Sequence, residues 1–182
     1  MYCSAGISIL HAKHLSMRLM CFLPLAIMLA AAPTQAQPNL AQQILAAHNL
    51  ERGRWRLAPL QWDPALAASA KSYGPTLSRL GRLEHSPRTA RAGQGENLWM
   101  GTRGAFSPEQ MVGGWLSERN EFRPGIFPNV SRTGNWFDVG HYSQILWPTT
   151  TRLGCAIQSS RSWDFLICRY SPAGNMDGRR VP

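Results

Sequence analysis

The chain has 182 residues, 44% hydrophobic and 16% charged, with 16 Gly and 13 Pro. This is the mix of one ordinary globular domain, which excludes a disordered or collagen-like chain and leaves no room for two full domains. The formal charge of +9 admits nucleic acid, anionic lipid or acidic polysaccharide as partners. However, the arginines are scattered (Arg52, Arg54, Arg56, Arg79, Arg82, Arg88, Arg91 and others) without interleaved aromatics, so specific nucleic-acid binding is not expected.

The one long apolar stretch, Leu19 to Ala32, is 14 residues interrupted by Pro24, too short to cross a bilayer as a helix. It follows Lys13, His14 and Arg18 and ends in Thr34-Gln35-Ala36, with small residues at both positions that a signal peptidase inspects. Residues 1–36 therefore read as a signal peptide, residues 1–16 being an extension or a mis-assigned start ahead of Met17, and residues 37–182 as the mature domain. Secretion or a periplasmic location follows, with no transmembrane segment. Removing Lys13 and Arg18 leaves 17 cations, 16 of them Arg, against ten acids, a charge of about +7. Cys3 and Cys21 leave with the leader. Cys155 and Cys168 remain, and two cysteines in an exported chain favour a disulfide.

Along the mature chain, Asn39 caps a first helix with Leu40, Ile44, Leu45 and His48 on one face and Gly53 placed to end it. Asp63-Pro64 opens a second, whose stripe Leu66, Ala70, Tyr73, Leu77, Leu80 is interrupted by Pro75, where a kink or break is expected. Ser107-Pro108-Glu109-Gln110 combines a cap, an initiating proline and a capping-box Gln; Met111, Trp115, Glu118 and Phe122 follow on one stripe. A short fourth helix runs from about Gly140 to Trp147, stopped by Pro148. Between and after the helices the period changes to two. Gly95 to Trp99 reads as a short strand, and the runs beginning at Leu153 and Asp164 as a β-hairpin closing near Arg161 and Ser162. A symmetric turn there sets Cys155 opposite Cys168; two free buried thiols are the other arrangement.

The mature chain has three histidines, His48, His85 and His141. His48, one turn beyond Ile44, reads with Asn49 as a structural hydrogen-bonding element. Glu118 is the odd residue, a carboxylate on an apolar stripe that needs a partner or must border solvent, and a histidine is a natural partner. No HExxH, CxxC or GxSxG is present, so any metal or acid–base site must be assembled by the fold.

GHYSQILW at Gly140 to Trp147 resembles the GHYTQxVW signature of the CAP superfamily, the cysteine-rich secretory, antigen 5 and pathogenesis-related proteins. ICRYSPAGN at Ile167 to Asn175 is similar to that family's CxYxPxGN. HNLER from His48, LQWDPALAASA from Leu60, EHS from Glu84, GENLW from Gly95 and WLSE from Trp115 follow in the family's order, so the resemblance spans nearly all of residues 40–182.

The resemblance implies an α+β fold, a three-layer α-β-α sandwich with a small antiparallel sheet and a large open cleft. It implies a cleft tetrad of His85, Glu96, Glu118 and His141, and zinc or another divalent cation on His85 and His141, although two protein nitrogens are fewer than the three ligands usual for catalytic zinc. Tyr142, Ser143 and Gln144 are expected to line the cleft or anchor its helix, Ser143 standing where the family usually has Thr. A monomeric domain binding a sterol, another lipid or a partner is the implied function. The competing readings are a hydrolase using a metal-bound water or a His/Glu base, and an effector acting on other cells with the tetrad as structural keystone. Trp99, Trp115, Phe122, Phe127 and Trp136 flank the tetrad motifs and are candidates for the cleft wall, more usually core. The single cysteine pair departs from plant and animal relatives, which often carry three or more disulfides.

Overall fold

The computed structural model describes residues 39–182, so the leader reading lies outside the described residues. The first helix, α1 (Leu40–Arg54), starts where expected: Asn39 accepts from the backbone of Gln42, and the Gln42 side chain returns the bond. It does not end at Gly53. Bonds from Trp55 N–H and Leu57 N–H to Arg52 O and from Arg56 N–H to Gly53 O tighten the last turn one residue later, and the left-handed residue is Arg56 (φ 55°).

After the two-residue strand β1 (Gln61–Trp62), Asp63 caps α2 (Pro64–Leu80), which closes on the left-handed Gly81. This helix runs unbroken through Pro75, contrary to the expectation. The proline deprives only the Lys71 carbonyl of its bond, and both residues are exposed, so water can reach that carbonyl while Leu66, Ala70 and Leu77 stay buried. Gly154 lets α2 approach the sheet: a Cβ there would lie 2.3 Å from the Ala67 amide nitrogen.

Strand β2 (Gly95–Thr102) extends three residues beyond the expected run. The Ser107–Gln110 capping box opens α3 (Pro108–Leu116), but the helix tightens into a 3-10 turn at Ser117–Asn120, so Glu118 sits on that turn and Phe122 beyond it. Strand β3 (Gly125–Ile126) and a 3-10 turn at Trp136–Val139 precede α4 (Gly140–Ile145), two residues shorter than its expected span. The hairpin of β4 (Arg152–Ser159) and β5 (Trp163–Ser171) and the short β6 (Arg180–Val181) complete the chain.

The main sheet has the order β1-β4-β5-β2; β3 and β6 form a separate antiparallel pair. It is not wholly antiparallel, because β1 runs parallel to β4. Period-two alternation assigns its two faces. Leu98, Phe165 and Ile167 pack with Ala70 and Leu77 of α2, whereas Leu153, Leu166 and Tyr170 pack with Ile44, Met111, Trp115 and Ile145 from α1, α3 and α4. Helices thus cover both faces, the expected α-β-α sandwich. A third cluster of Phe122, Phe127, Val130, Tyr142 and Trp147 seats α4 against the irregular segment before it.

Ser160 and Trp163 close the hairpin around Arg161 and Ser162, and Cys155 pairs with Cys168 in register and in a disulfide. With a sequence separation of 13, the bridge is expected to contribute about 3 kcal/mol in the loop-entropy treatment. Urea unfolding of the domain of residues 37–182 with and without reductant measures that difference, and this domain, denatured but not reduced, should show no reactive thiol.

Candidate functional site

His85 and Glu96 are brought together by the loop after α2 and the start of β2. The imidazole Nδ1 lies 2.6 Å from Glu96 Oε1, and the Ser86 amide and hydroxyl donate to the same carboxylate at 3.0 Å each. Behind it stands the Arg169 guanidinium, 3.0 Å from Glu96 Oε2 and equally enclosed, with Cζ 5.7 Å from the centre of the Tyr73 ring. The Glu96 side chain has no exposed surface, whereas His85 is 57% exposed. Burial pushes the Glu96 pKa up, but the bonds from His85, Arg169 and the Ser86 amide outweigh it and hold the carboxyl below its ordinary value.

Glu118 and His141 form a second pair. His141 Nδ1 is 2.5 Å from Glu118 Oε1, and the Tyr142 amide donates to Glu118 Oε2 at 2.9 Å. The carboxylate that looked misplaced on its stripe therefore binds the start of α4. The His141 ring stacks on Trp115, with centroids 5.8 Å apart, and Trp115 is itself tied to the Leu98 carbonyl. In each pair the acid holds both a histidine ring and the amide of the next residue. A neutral ring so placed carries its proton on Nδ1 and leaves Nε2 to the solvent side, where neither ring makes a hydrogen bond among the described residues.

Both histidines line one open cleft of about 830 Å³, together with Glu96, Asn97, Gln144 and Trp136. Of the aromatics considered for its wall only Trp136 lies there; Trp115, Phe122 and Phe127 are core. Tyr142 does not line it. Its hydroxyl donates to Glu51 Oε1 at 2.6 Å and accepts from Trp55 Nε1, and burial, then Glu51, push its pKa up to about 12. Ser143 donates to Gly140 O and Asn175 Oδ1, and Gln144 accepts from the Gly174 amide while lining the cleft, so these two secure α4 to the C-terminal loop. His48 is fully buried, with Nδ1 2.8 Å from Ile44 O and Nε2 2.8 Å from the Tyr170 hydroxyl. Desolvation lowers its pKa to about 4, so the ring is neutral at pH 7, donating to Ile44 and accepting from Tyr170.

Sequence reasoning missed the supports of α4. Glu51 accepts from Tyr142, Arg54 and Arg119, and the buried Arg52 donates to the carbonyls of Ala58, Ile145, Trp147 and Thr150. Asn97 bridges the His141 carbonyl and the Tyr170 hydroxyl. The signal for the first two was present: Ile44, His48, Glu51 and Arg52 recur at i, i+4, i+7 and i+8, the same anomaly of charge on a buried stripe that marked Glu118.

The cysteine-rich secretory protein family, CAP, matches residues 45–170. A pathogenesis-related protein of PR-1 type from Sambucus nigra is 34% identical over 78% of this chain and 81% of its own. Pathogenesis-related leaf protein 4 from Solanum lycopersicum is 34% identical over 92% of this chain and 96% of its own. Among solved structures, that of NaASP2 with Zn2+ superposes with a TM-score of 0.66 at 23% identity, over 82% of this chain and 88% of that one, a likeness of fold. The arrangement of helices about the sheet and the extent of these matches lead to one conclusion: the chain belongs to the CAP, or cysteine-rich secretory protein, family.

Proposed function

We propose that residues 1–36 direct export and that residues 37–182 act, as a monomer outside the cytoplasm, as a binding domain whose cleft captures a lipid or sterol-like ligand. The observation that carries this reading is two histidines on one open cleft, each held through Nδ1 by a carboxylate so that Nε2 is presented outward. No helix among the described residues is long and apolar enough to cross a membrane, which is compatible with an exported domain.

The donor set fits a divalent cation held by Nε2 of His85 and His141, with Glu96 and Glu118 fixing the tautomers from behind and water or ligand completing the shell. No group of three or more His, Cys, Asp or Glu suited to a metal occurs among the described residues, so such a site would be open and exchangeable. A zinc ion bound there would supply a Lewis acid toward a ligand oxygen.

Hydrolysis has less support. Cys155 and Cys168 are bridged, and the buried Ser86 hydroxyl is committed to Glu96 and Arg169. The test is equilibrium dialysis against buffer that contains zinc: about one bound ion per chain is expected, lost in both His85→Ala and His141→Ala while circular dichroism stays native. Zinc unchanged by both substitutions would remove the two histidines from the binding role.

A further inference from the structure

A second hollow lies outside the cleft, between the turn that follows α4 and the C-terminal loop. Its volume is about 440 Å³, and Trp147, Pro148, Thr149, Met176, Arg179 and Arg180 line it, two cations and no acid. Both arginines are exposed, and neither makes a side-chain hydrogen bond or an ion pair among the described residues. Asp177, the acid nearest to them along the chain, lines the His–Glu cleft instead.

A third cation lies beneath the same turn. Arg52, 1% exposed, reaches from α1 to the carbonyls of Trp147 and Thr150, which flank Pro148 and Thr149, and to those of Ala58 and Ile145. All four acceptors are neutral. The adjoining Glu51 is taken by Arg54, Arg119 and Tyr142, and Arg52 forms no ion pair among the described residues. Burial draws its pKa down only to about 10, so the guanidinium is charged at pH 7. Buried charges are ordinarily paired; this one is hydrogen-bonded but has no counter-charge, and its field reaches the turn above it.

Guanidinium forks suit tetrahedral oxyanions, and three cations are answered better by a dianion than by the single charge of a carboxylate. The exposed Thr149 hydroxyl adds a donor on the same wall. A bare phosphate would leave much of the hollow empty, because 440 Å³ falls in the range of small-molecule sites, about 300–1,000 Å³. Pro148 and Met176 offer apolar surface to whatever carries the charge.

We infer that this hollow binds an organic phosphate monoester, its dianionic head on Arg179 and Arg180 above the buried charge of Arg52 and its body against Pro148 and Met176. The site is separate from the two His–Glu pairs, with Met176 as the wall shared between the two hollows.

The probe is phenyl phosphate, titrated calorimetrically into the domain of residues 37–182 at low salt and about pH 8, where the second phosphate proton, of pKa about 6, is off. Saturable binding at about one per chain is expected. It should be at least about tenfold tighter than that of dimethyl phosphate, a monoanionic diester like those of lipid headgroups and nucleic-acid backbones, and about threefold tighter than that of inorganic phosphate. Arg179→Gln and Arg180→Gln should each weaken it about tenfold, and the double variant should lose it. Phenyl phosphate should also raise the urea midpoint of the native domain and leave that of the double variant unmoved. Arg161→Gln, at the hairpin tip, is the charge control and should bind as the native domain does.

No saturable binding, equal affinity for the monoester and the diester, or binding kept in the double variant would overturn the inference. Inorganic phosphate binding as tightly as phenyl phosphate would overturn the organic body. Either failure leaves histidine-dependent zinc binding, and the cleft reading with it, untouched.

Discussion

Glu96→Ala is expected to destabilise the domain by about 3–5 kcal/mol, the cost of stranding a buried charge. The stranded group is Arg169, whose side chain is 2% exposed and whose Nε already has no hydrogen-bond partner. Its remaining neighbours are the Ser86 hydroxyl and the Tyr73 ring, neither of which neutralises a guanidinium. Urea midpoints measure the effect. Glu96→Gln, which keeps the shape and one acceptor, should lose less, and Glu96→Ala combined with Arg169→Met should recover much of the loss because no charge is left buried. If Glu96→Ala alone were as stable as the native domain, the pair would not be the internal support described above. This acid therefore has two duties, and a fall in zinc or ligand binding in the Ala variant must be compared with the double variant before it is assigned to His85.

The second large effect is on acid stability. Burial holds His48 at a pKa of about 4, against 6.5 when unfolded. Between these values the unfolded chain binds a proton that the folded chain refuses, so stability is full above pH 6.5 and falls as the pH drops towards 4. The shift corresponds to about 3 kcal/mol, complete once the pH is below the folded value. Stability measured by denaturant at a series of pH values should fall less steeply over this window in His48→Gln than in the native domain. Identical slopes would show that the ring titrates normally and is more open to water than its surroundings imply.

Local rules made the capped helix starts legible, because Asn39, Asp63 and Ser107 act on residues two or three positions away. The hairpin register followed from symmetry about Arg161 and Ser162, which is also local. The four residues His85, Glu96, Glu118 and His141 came from the family resemblance, and which acid meets which ring came from the structure; periodicity alone reached only Glu118, as a carboxylate in need of a partner. The helix through Pro75 was missed because breaking depends on whether the freed carbonyl can be hydrated, and that is decided by which face meets the sheet. Glu51 with Tyr142, 91 positions apart, and Glu96 with Arg169 are invisible to any short window, although charge on the α1 stripe advertised that something distant had to answer it.

Each carboxylate grips a ring and the adjoining main-chain amide at once, and α4 is further fastened through Asn97 to β2 and through Tyr142 to α1. A side chain clamped at two points cannot swivel without uncoupling its own peptide group, so the imidazoles move only as their scaffold moves. The two rings are thus held in one arrangement before any molecule enters the cleft. A guest bound there, as proposed, would leave little freedom to be frozen on association.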